Sequence, residues 1–541
     1  MNFLQRALSQ SIFNGRVRSP TGFGAGRDSR PCRTKTVQTG NQYQMNTIKT
    51  KTLSRRQFLE RSIAASVVCA TASCISKPAR SRPIGAAEDI RVAVIGCGST
   101  VGNGGKGRYH IKNFTNMKGV RLVALCDPDE AHLKREVESL SKVGKKVDVY
   151  KDFRKLLERN DIDAVCIAAP NHWHSLMTIM AVQAGKNVYV EKPLSHNVWE
   201  GRKAVEAARK YDRIVQHGTQ SRSEIGTREA IEYIKAGNLG KILAVHGVCY
   251  KPRNSIGKVT GPQKPPETID MDLWTGPAPI KPLMRTNLHY DWHWFWDTGN
   301  GEIGNQGVHQ MDLARWALGE NCLPRRVLSI GGRFGYDDDA ETPNTQIAFF
   351  DYEKAPLIFE VRGLSRQKGM TAMDYYRSTS IGFIVECEGG YFSGNNGGWF
   401  YDNKDTRIRQ IKGGGSENHP KNFIDAVRSG TKKDLNADIL EGHISSALCH
   451  IGNISHNLGK EKDLGIITES IKGNKAFTET FGRLQQHLAA HEVDLNKDKP
   501  MLGAWLEIDP AKEQFTGELA AKANPMLTRN YRAPFVVPDV V

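Results

Sequence analysis

The sequence predicts an α/β protein, an N-terminal doubly wound parallel sheet followed by an α+β domain with an open, mostly antiparallel sheet. Three observations carry this. From Ile90 to about Gln220, apolar strand-like runs alternate with amphipathic helical stretches, the pattern of a parallel sheet covered on both faces. Beyond Gln220 the pattern changes to alternating segments typical of antiparallel strands. Within the first stretch, Val188-Tyr189-Val190 ends in Glu191-Lys192-Pro193, where a proline that cannot donate to a ladder stops the strand. Ligands of doubly wound sheets bind beyond the carboxyl ends of strands, where Lys192 falls. The expected organisation is a leader over 1–88, a doubly wound domain over 89–222, an α+β domain over 223–471, and an extension over 472–541.

The net charge is +17 over 541 residues, but residues 1–88 hold 15 Lys/Arg against 3 Asp/Glu and leave only +5 for the rest. The body has no basic stripe or arginine-rich helix, which speaks against nucleic acid. In the leader, Ser54-Arg55-Arg56-Gln57-Phe58-Leu59 precedes a short apolar run over 62–70. Paired arginines before such a run resemble a twin-arginine export signal, and the run is too short to span a membrane. The expectation is an exported, periplasmic protein that uses the twin-arginine machinery and has no membrane span in its mature chain. An N-terminal anchor or a plain tail is the other reading. Cys74 could carry a lipid, although Thr71 fits that pattern poorly, and Met45 is an alternative start to Met1. Seven body cysteines without a CxxC pair suggest neither a disulfide framework nor a zinc site.

In order, Ile90 to Ile95 is a buried-strand run ending in Gly96-Cys97-Gly98. A helix is expected over 109–117, then a strand over 121–126 capped by Asp127. Strand, glycines, helix, strand and acid form the βαβ unit of a Rossmann domain: two close glycines let the chain approach a pyrophosphate, whose charge meets the helix N-terminus. Gly107, next to Arg108, is taken as the third glycine, after an insertion of about six residues. Asp127 stands where an acid accepts from ribose hydroxyls and repels a 2′-phosphate, which favours NAD(H) and leaves NADP(H) open. A helix over 153–159, a strand over 164–169, a helix over 175–184, the Val188–Val190 strand and a helix over 197–211 lead to Gln220.

Four signatures occur in one order: Gly96-x-Gly98; Ala169-Pro170-Asn171-His172-Trp173-His174; Glu191-Lys192-Pro193; and Gly304-Asn305-Gln306-Gly307-Val308-His309-Gln310-Met311-Asp312. Together they resemble the Gfo/Idh/MocA oxidoreductases over roughly 89–460. The His-Trp-His form and the tail over 527–535 look most like exported members from planctomycete-type bacteria. The resemblance implies an NAD(P)-dependent enzyme acting on CH-OH groups of a sugar or polyol. It also implies a sheet placed over the nicotinamide end whose outer face makes dimers or tetramers. It places Gly96, Gly98, Gly107, Arg108, Asp127, Asn171, His174, Glu191, Lys192 and Gln220 at the cofactor, and Lys192, His309, Asp312 and Asn305 at the chemistry.

Dehydrogenating an alcohol requires a hydride acceptor, a base for the hydroxyl proton and a donor to the carbonyl oxygen. Lys192 can be the donor and can relay a proton if burial lowers its pKa. His309 is the expected base. Asp312, three residues on, would orient it or bind a hydroxyl. Asn305 stands where many relatives carry Asp, and it cannot take a proton. His289, Asp291, His293, His309 and Asp312 have no convincing metal-ligand spacing, so no metal is expected. The aromatic run Trp292-His293-Trp294-Phe295-Trp296 suits either sugar stacking or an aromatic plug. A helix over 417–428 is expected to return to the cofactor domain, and the stretch after Lys472 suggests no chemistry. An exported enzyme would lose free NAD, so the cofactor is expected to be retained. It would then turn over with a second sugar or in a redox-neutral glycosidase cycle. A sugar-binding protein without turnover is the reading from another class.

Overall fold

The computed structural model describes residues 85, 88–99 and 105–541. Arg55-Arg56, the 62–70 run, Cys74 and the centre of the glycine-loop insertion lie outside the described residues. Two sheets organise the rest. The first has six parallel strands, β1 (Ile90–Ile95), β2 (Val120–Cys126), β3 (Asp148–Tyr150), β4 (Ala164–Ile167), β5 (Asn187–Val190) and β6 (Val215–His217), in the order 3-2-1-4-5-6. That is the doubly wound dinucleotide order, and its switch point lies between β1 and β4. The all-buried strands Ala164–Ile167 and Asn187–Val190 read as continuous apolar runs because both faces are covered.

The second sheet is mixed and mostly antiparallel. Its strands are β7 (Ile242–Cys249), β8 (Arg326–Gly332), β9 (Thr345–Asp351), β10 (Leu357–Arg362), β11 (Ile381–Cys387), β12 (Gly390–Asn395), β13 (Gly397–Tyr401) and β14 (Arg407–Ile411), in the order 14-13-12-11-7-10-9-8. Only β7 and β10 run parallel. Period-two alternation gives it two apolar faces. Val327, Phe350 and Phe359 pack with Met311 and Leu448 from the helices Gly307–Leu318 and Ile439–Asn457. Leu328, Ile330, Phe349 and Ile358 point the other way.

The stretch after Lys472 is more ordered than its polar composition suggests. Helix Lys475–Ala489 lays Phe477, Phe481, Leu484 and Leu488 over that second face, and short strands at Met501–Leu502 and Leu506–Asp509 extend the sheet beside β8. Each phenylalanine buried this way contributes about 1.5–3 kcal/mol. Further on, Phe535, Val537 and Val541 join the core of the first sheet. The helix His419–Ser429 returns to that sheet's other side through Phe423, Ile424 and Val427, as expected. All seven described cysteines are free thiols. No helix among the described residues is long and apolar enough to cross a membrane.

Candidate functional site

A cavity of about 430 Å³ runs from the β1 and β2 ends to the loop carrying Lys192. At one end is the glycine turn. Gly96 has φ +88° and Gly98 φ +81°, the left-handed region where a side chain is strained. At Gly107 a Cβ would sit 2.0 Å from the Gly96 carbonyl oxygen, so the helix Lys106–Asn116 starts directly against the turn. This contact is the role of a third glycine. The helix begins three residues earlier than expected, and its first residue, Lys106, lines the cavity. Arg108 does not line the cavity; its guanidinium lies beside Gly105. Arg135 donates to the carbonyls of Cys97 and Gly98 (3.1 and 2.8 Å) and braces the turn from outside.

Asp127, buried at the end of β2, accepts from the backbone N–H of Cys97 (2.8 Å) and of Asp129 (2.9 Å). It therefore holds the glycine turn and also lines the cavity. With His132 Nδ1 also 3.3 Å from Oδ1, and about four hydrogen bonds available to a carboxylate, it keeps acceptor capacity for about one hydroxyl in the cavity.

At the other end, β5 delivers Glu191 and Lys192. Glu191 is buried and accepts from His110 (2.8 Å) and Gln220 (3.0 Å). Burial opposes its charge, but Lys106 and His110 hold its carboxyl well below the usual range. It thus anchors the loop as a fixed anion. Gln220 is tied to Glu191 and to the Tyr189 hydroxyl (3.1 Å) rather than to the cavity. The Lys192–Pro193 peptide is cis. Lys192 Nζ donates to the Asn305 carbonyl (2.8 Å) and to Asn305 Oδ1 (3.3 Å). Burial pushes its amine down to about 8, against the raising charge of Glu191.

Asn171 and His174 belong to the first turn of the helix Asn171–Gln183, which starts four residues before the expected boundary because Pro170, in extended conformation, serves as its N-cap. Asn171 donates to Asn300 (3.0 Å). His174 sits between the carbonyls of Pro193 (2.6 Å) and Ala169 (2.7 Å), linking the Lys192 loop to the end of β4. Burial lowers its pKa, against the raising hydrogen bonds to these two carbonyls, and a neutral ring donates to one of them at a time.

His309 lines the cavity, and its ring has no hydrogen-bond partner among the described residues. Burial, and then the charge of Lys192, hold its pKa well below the usual imidazole value. Asp312 departs from expectation. It is turned away into a buried network, accepting from Arg222 Nε and Nη2 (2.7 and 2.9 Å) and from the Ser445 hydroxyl (2.7 Å), with Arg315 at 3.6 Å. Three residues along a helix share a face only loosely, and the buried Arg222 fixed which way the carboxylate went. The roles of orienting His309 or binding a hydroxyl do not fit this geometry.

Sequence reasoning missed several residues here. Arg253 pairs with buried Glu302 (2.7 and 3.0 Å) and donates to the Tyr290 hydroxyl (2.7 Å). Lys251 donates to Gln306 (3.2 Å). Lys251, Arg253, Tyr290, His293 and Gln306 all line the cavity. Of the four aromatics in 292–296, only Trp292 lines it, stacked on His293 at 3.7 Å, while Trp294 is buried, so the run is mostly a plug. The basic and amide residues after β7 were the available signal for this wall.

Residues 90–219 match the family described as "Oxidoreductase family, NAD-binding Rossmann fold", and residues 238–356 match "Oxidoreductase family, C-terminal alpha/beta domain". Among curated proteins, the chain is similar to a Shewanella oneidensis protein named alpha-N-acetylgalactosaminidase. The two are 32% identical over 168 residues, 30% of this chain and 34% of that protein. It is also similar to a Shewanella baltica "Glycosyl hydrolase family 109 protein", 29% identical over 212 residues, 36% of this chain and 45% of that protein. The chain thus spans less than half the length of these relatives. Among solved structures, an oxidoreductase domain protein from Kribbella flavida has a TM-score of 0.50 at 18% identity, covering 68% of this chain and 96% of that one. The WlbA dehydrogenase from Bordetella pertussis, solved with NADH and UDP-GlcNAcA, has a TM-score of 0.49 at 19% identity, covering 67% and 94%.

Proposed function

The chain belongs, through its domains at 90–219 and 238–356, to the Gfo/Idh/MocA oxidoreductase family, and from that premise we propose an NAD(H)-dependent oxidoreductase acting on a sugar, polyol or sugar derivative. The observation that carries the reading is the convergence of Lys192, Asn305 and His309 on one wall of the cavity that begins at the glycine turn. The residues present fit a dinucleotide: no side chain can occupy Gly107, and Asp127 and Lys106 face the cavity. When bound, the nicotinamide supplies hydride transfer.

The protein's own residues do the rest. Lys192, poised near neutrality, holds the carbinol oxygen and exchanges its proton. His309, whose pKa burial and then the charge of Lys192 hold well below the usual imidazole value, faces the same cavity and can relay that proton. Asn305 fixes the amine through two acceptors, which suits a residue that cannot itself take a proton. Lys251, Arg253, Tyr290 and Gln306 offer donors and acceptors to a polyhydroxylated substrate. Asp127 favours NAD(H) over NADP(H).

A second reading is an NAD-assisted glycosidase with a redox-neutral cycle, favoured by the names of the curated relatives. Two assays separate them. Sugars or polyols with NAD should give NADH in step with product for a dehydrogenase. Nitrophenyl glycosides cleaved without added NAD, and with no net absorbance change from NADH, would establish the glycosidase. Binding without either turnover would leave a sugar-binding protein and overturn both.

Export by the twin-arginine route, with the cofactor loaded beforehand and retained, is part of the proposal. Purified protein would then release stoichiometric NAD(H) on denaturation, and changing Arg55 and Arg56 to lysine would keep it in the cytoplasm. Assembly into a dimer or tetramer is proposed through the part of the second sheet not covered by Lys475–Ala489, to be read by light scattering.

A further inference from the structure

We propose that Asp129, His132 and His289 form a binding site for a divalent transition metal, zinc by its ligand chemistry, beside the Asp127 end of the cavity. The proposal is independent of the substrate reading above. One ligand atom from each residue lies within 4.8 Å of the others. His289 Nε2 is 3.0 Å from Asp129 Oδ2, and His132 Nε2 is 3.7 Å from that same oxygen. Ligand atoms around a tetrahedral zinc, each about 2.0–2.2 Å from the ion, stand roughly 3.4 Å apart. The observed spacings bracket that value.

His132 supplies the second observation. Its side chain is buried, with the residue 3% exposed, and Nε2 has no hydrogen-bond partner. The other ring nitrogen, Nδ1, faces Asp127 Oδ1 at 3.3 Å. An ionised carboxylate only accepts, so the ring proton belongs on Nδ1, and Nε2 is left with a lone pair aimed at a carboxylate and a second imidazole. A metal cation held between these three groups would satisfy it. A carboxylate behind the far nitrogen is also how proteins fix the tautomer of a metal-bound histidine.

Asp129 is prepared in the same way. Its Oδ1 accepts from the Thr268 hydroxyl (2.7 Å) and from the Ala131 N–H (2.9 Å), which leaves Oδ2 for the cluster. Two imidazoles and one carboxylate suit zinc and its neighbours rather than calcium or magnesium, which take oxygen ligands. His132 and His289 line the cavity, so the fourth position opens toward it and would hold water. When the ion binds, the neutral His289 ring moves its proton from Nε2 to Nδ1, with no oxidant and no net change in protonation. The ion would tie the segment carrying His289 to the loop after β2, 160 residues away in sequence.

The test uses the full chain, stripped with a chelator and titrated with ZnCl2 and, separately, CoCl2. One zinc per chain should bind saturably, raise the melting temperature and give cobalt the intense visible bands of a tetrahedral site. His132→Gln and His289→Gln should each weaken zinc binding at least tenfold. Thr268→Val, which touches no ligand atom and should fold normally, should weaken it about 10- to 100-fold. Nucleotide binding, measured separately, reports whether the cavity itself is intact. No saturable zinc uptake, octahedral cobalt spectra, or uptake unchanged in all three variants would overturn the site and leave a hydrogen-bonded clasp.

Discussion

Lys192 reaches across 113 residues of sequence to Asn305, donating to its carbonyl at 2.8 Å and to its side-chain oxygen at 3.3 Å. The loop after β5 and the turn before the His309 helix therefore meet at one amine. Both acceptors are neutral, so they orient the amine without forcing it to stay charged. That is the arrangement required of a lysine that must both give and take a proton.

Replacing Lys192 with Met should lower turnover by roughly 10²- to 10⁴-fold, the span of a lost general acid–base group. Nucleotide affinity should change by only a few fold. Lys192→Arg should not restore turnover, because guanidinium does not deprotonate. Parallel kcat measurements and fluorescence titrations with NADH check this, and undiminished turnover would remove Lys192 from the chemistry.

The pH profile should follow Lys192. Its amine is lowered to about 8 by burial, and it must be neutral to accept a hydroxyl proton. Oxidation should therefore rise with pH and level off above about 8, while reduction, which needs the ammonium, should fall over the same window. His309 is held well below its ordinary value, so no inflection near 6.5 is expected. An oxidation rate that is flat between pH 6.5 and 9 would exclude this assignment.

Asp127→Ala should shift the kcat/KM ratio toward NADP by removing the repulsive carboxylate. It should also orphan the N–H groups of Cys97 and Asp129, each costing about 1–3 kcal/mol if left buried and unpaired. Asp127→Asn keeps an acceptor and should be milder in denaturant unfolding. An unchanged cofactor ratio in both variants would show that the discriminating acid lies elsewhere.

Asp312→Ala should act on stability. It leaves Arg222 and Arg315 with an incomplete set of partners in a buried network, a loss of about 3–5 kcal/mol for breaking such a pair. Adding Arg222→Ala should cost less than the two single losses summed, which a double-mutant cycle in urea would measure. A stable Asp312→Ala protein with kcat lost would return Asp312 to the catalytic set.

Gly107→Ala should weaken nucleotide binding and stability together, because its Cβ would need to sit 2.0 Å from the Gly96 carbonyl oxygen. Such overpacking costs about 1–3 kcal/mol or more. Normal NADH affinity in this variant would mean that the helix can retreat from the turn.

Most strands of the first sheet are legible as short apolar runs closed by a glycine, acid or proline, a purely local signal, whereas Asp148–Tyr150, a three-residue edge strand that is largely exposed, gives none. The glycine turn and Lys192 stand at the ends of such runs, whereas His309 rests on the family resemblance, because a lone histidine on a helix carries no local signal of its own. Asp312 was misread because helical spacing says who shares a face and nothing about a partner 90 residues earlier. Arg253 lies in an irregular connection and Glu302 in the four-residue helix Gly301–Gly304, both too short of pattern to show periodicity. The helix over 475–489 was hidden by polar composition, although Phe477, Phe481, Leu484 and Leu488 recur at helical intervals and could have revealed it. The Asp129–His132–His289 cluster joins an i, i+3 pair to a residue 160 positions on, a distance no spacing rule covers.

Phe535, Val537 and Val541 complete the core of the first sheet, where Phe535 meets Trp173 edge-on at 5.2 Å and lies under Arg154. A ribosome makes the six strands of that sheet early and these three side chains more than 300 residues later. An N-terminal domain usually finishes folding while the rest of the chain is still being made, but this one cannot bury its last apolar surface until residue 541 has been made. Any step that requires a finished nucleotide domain, whether loading a dinucleotide or passing the quality control of the cell, must wait for that segment.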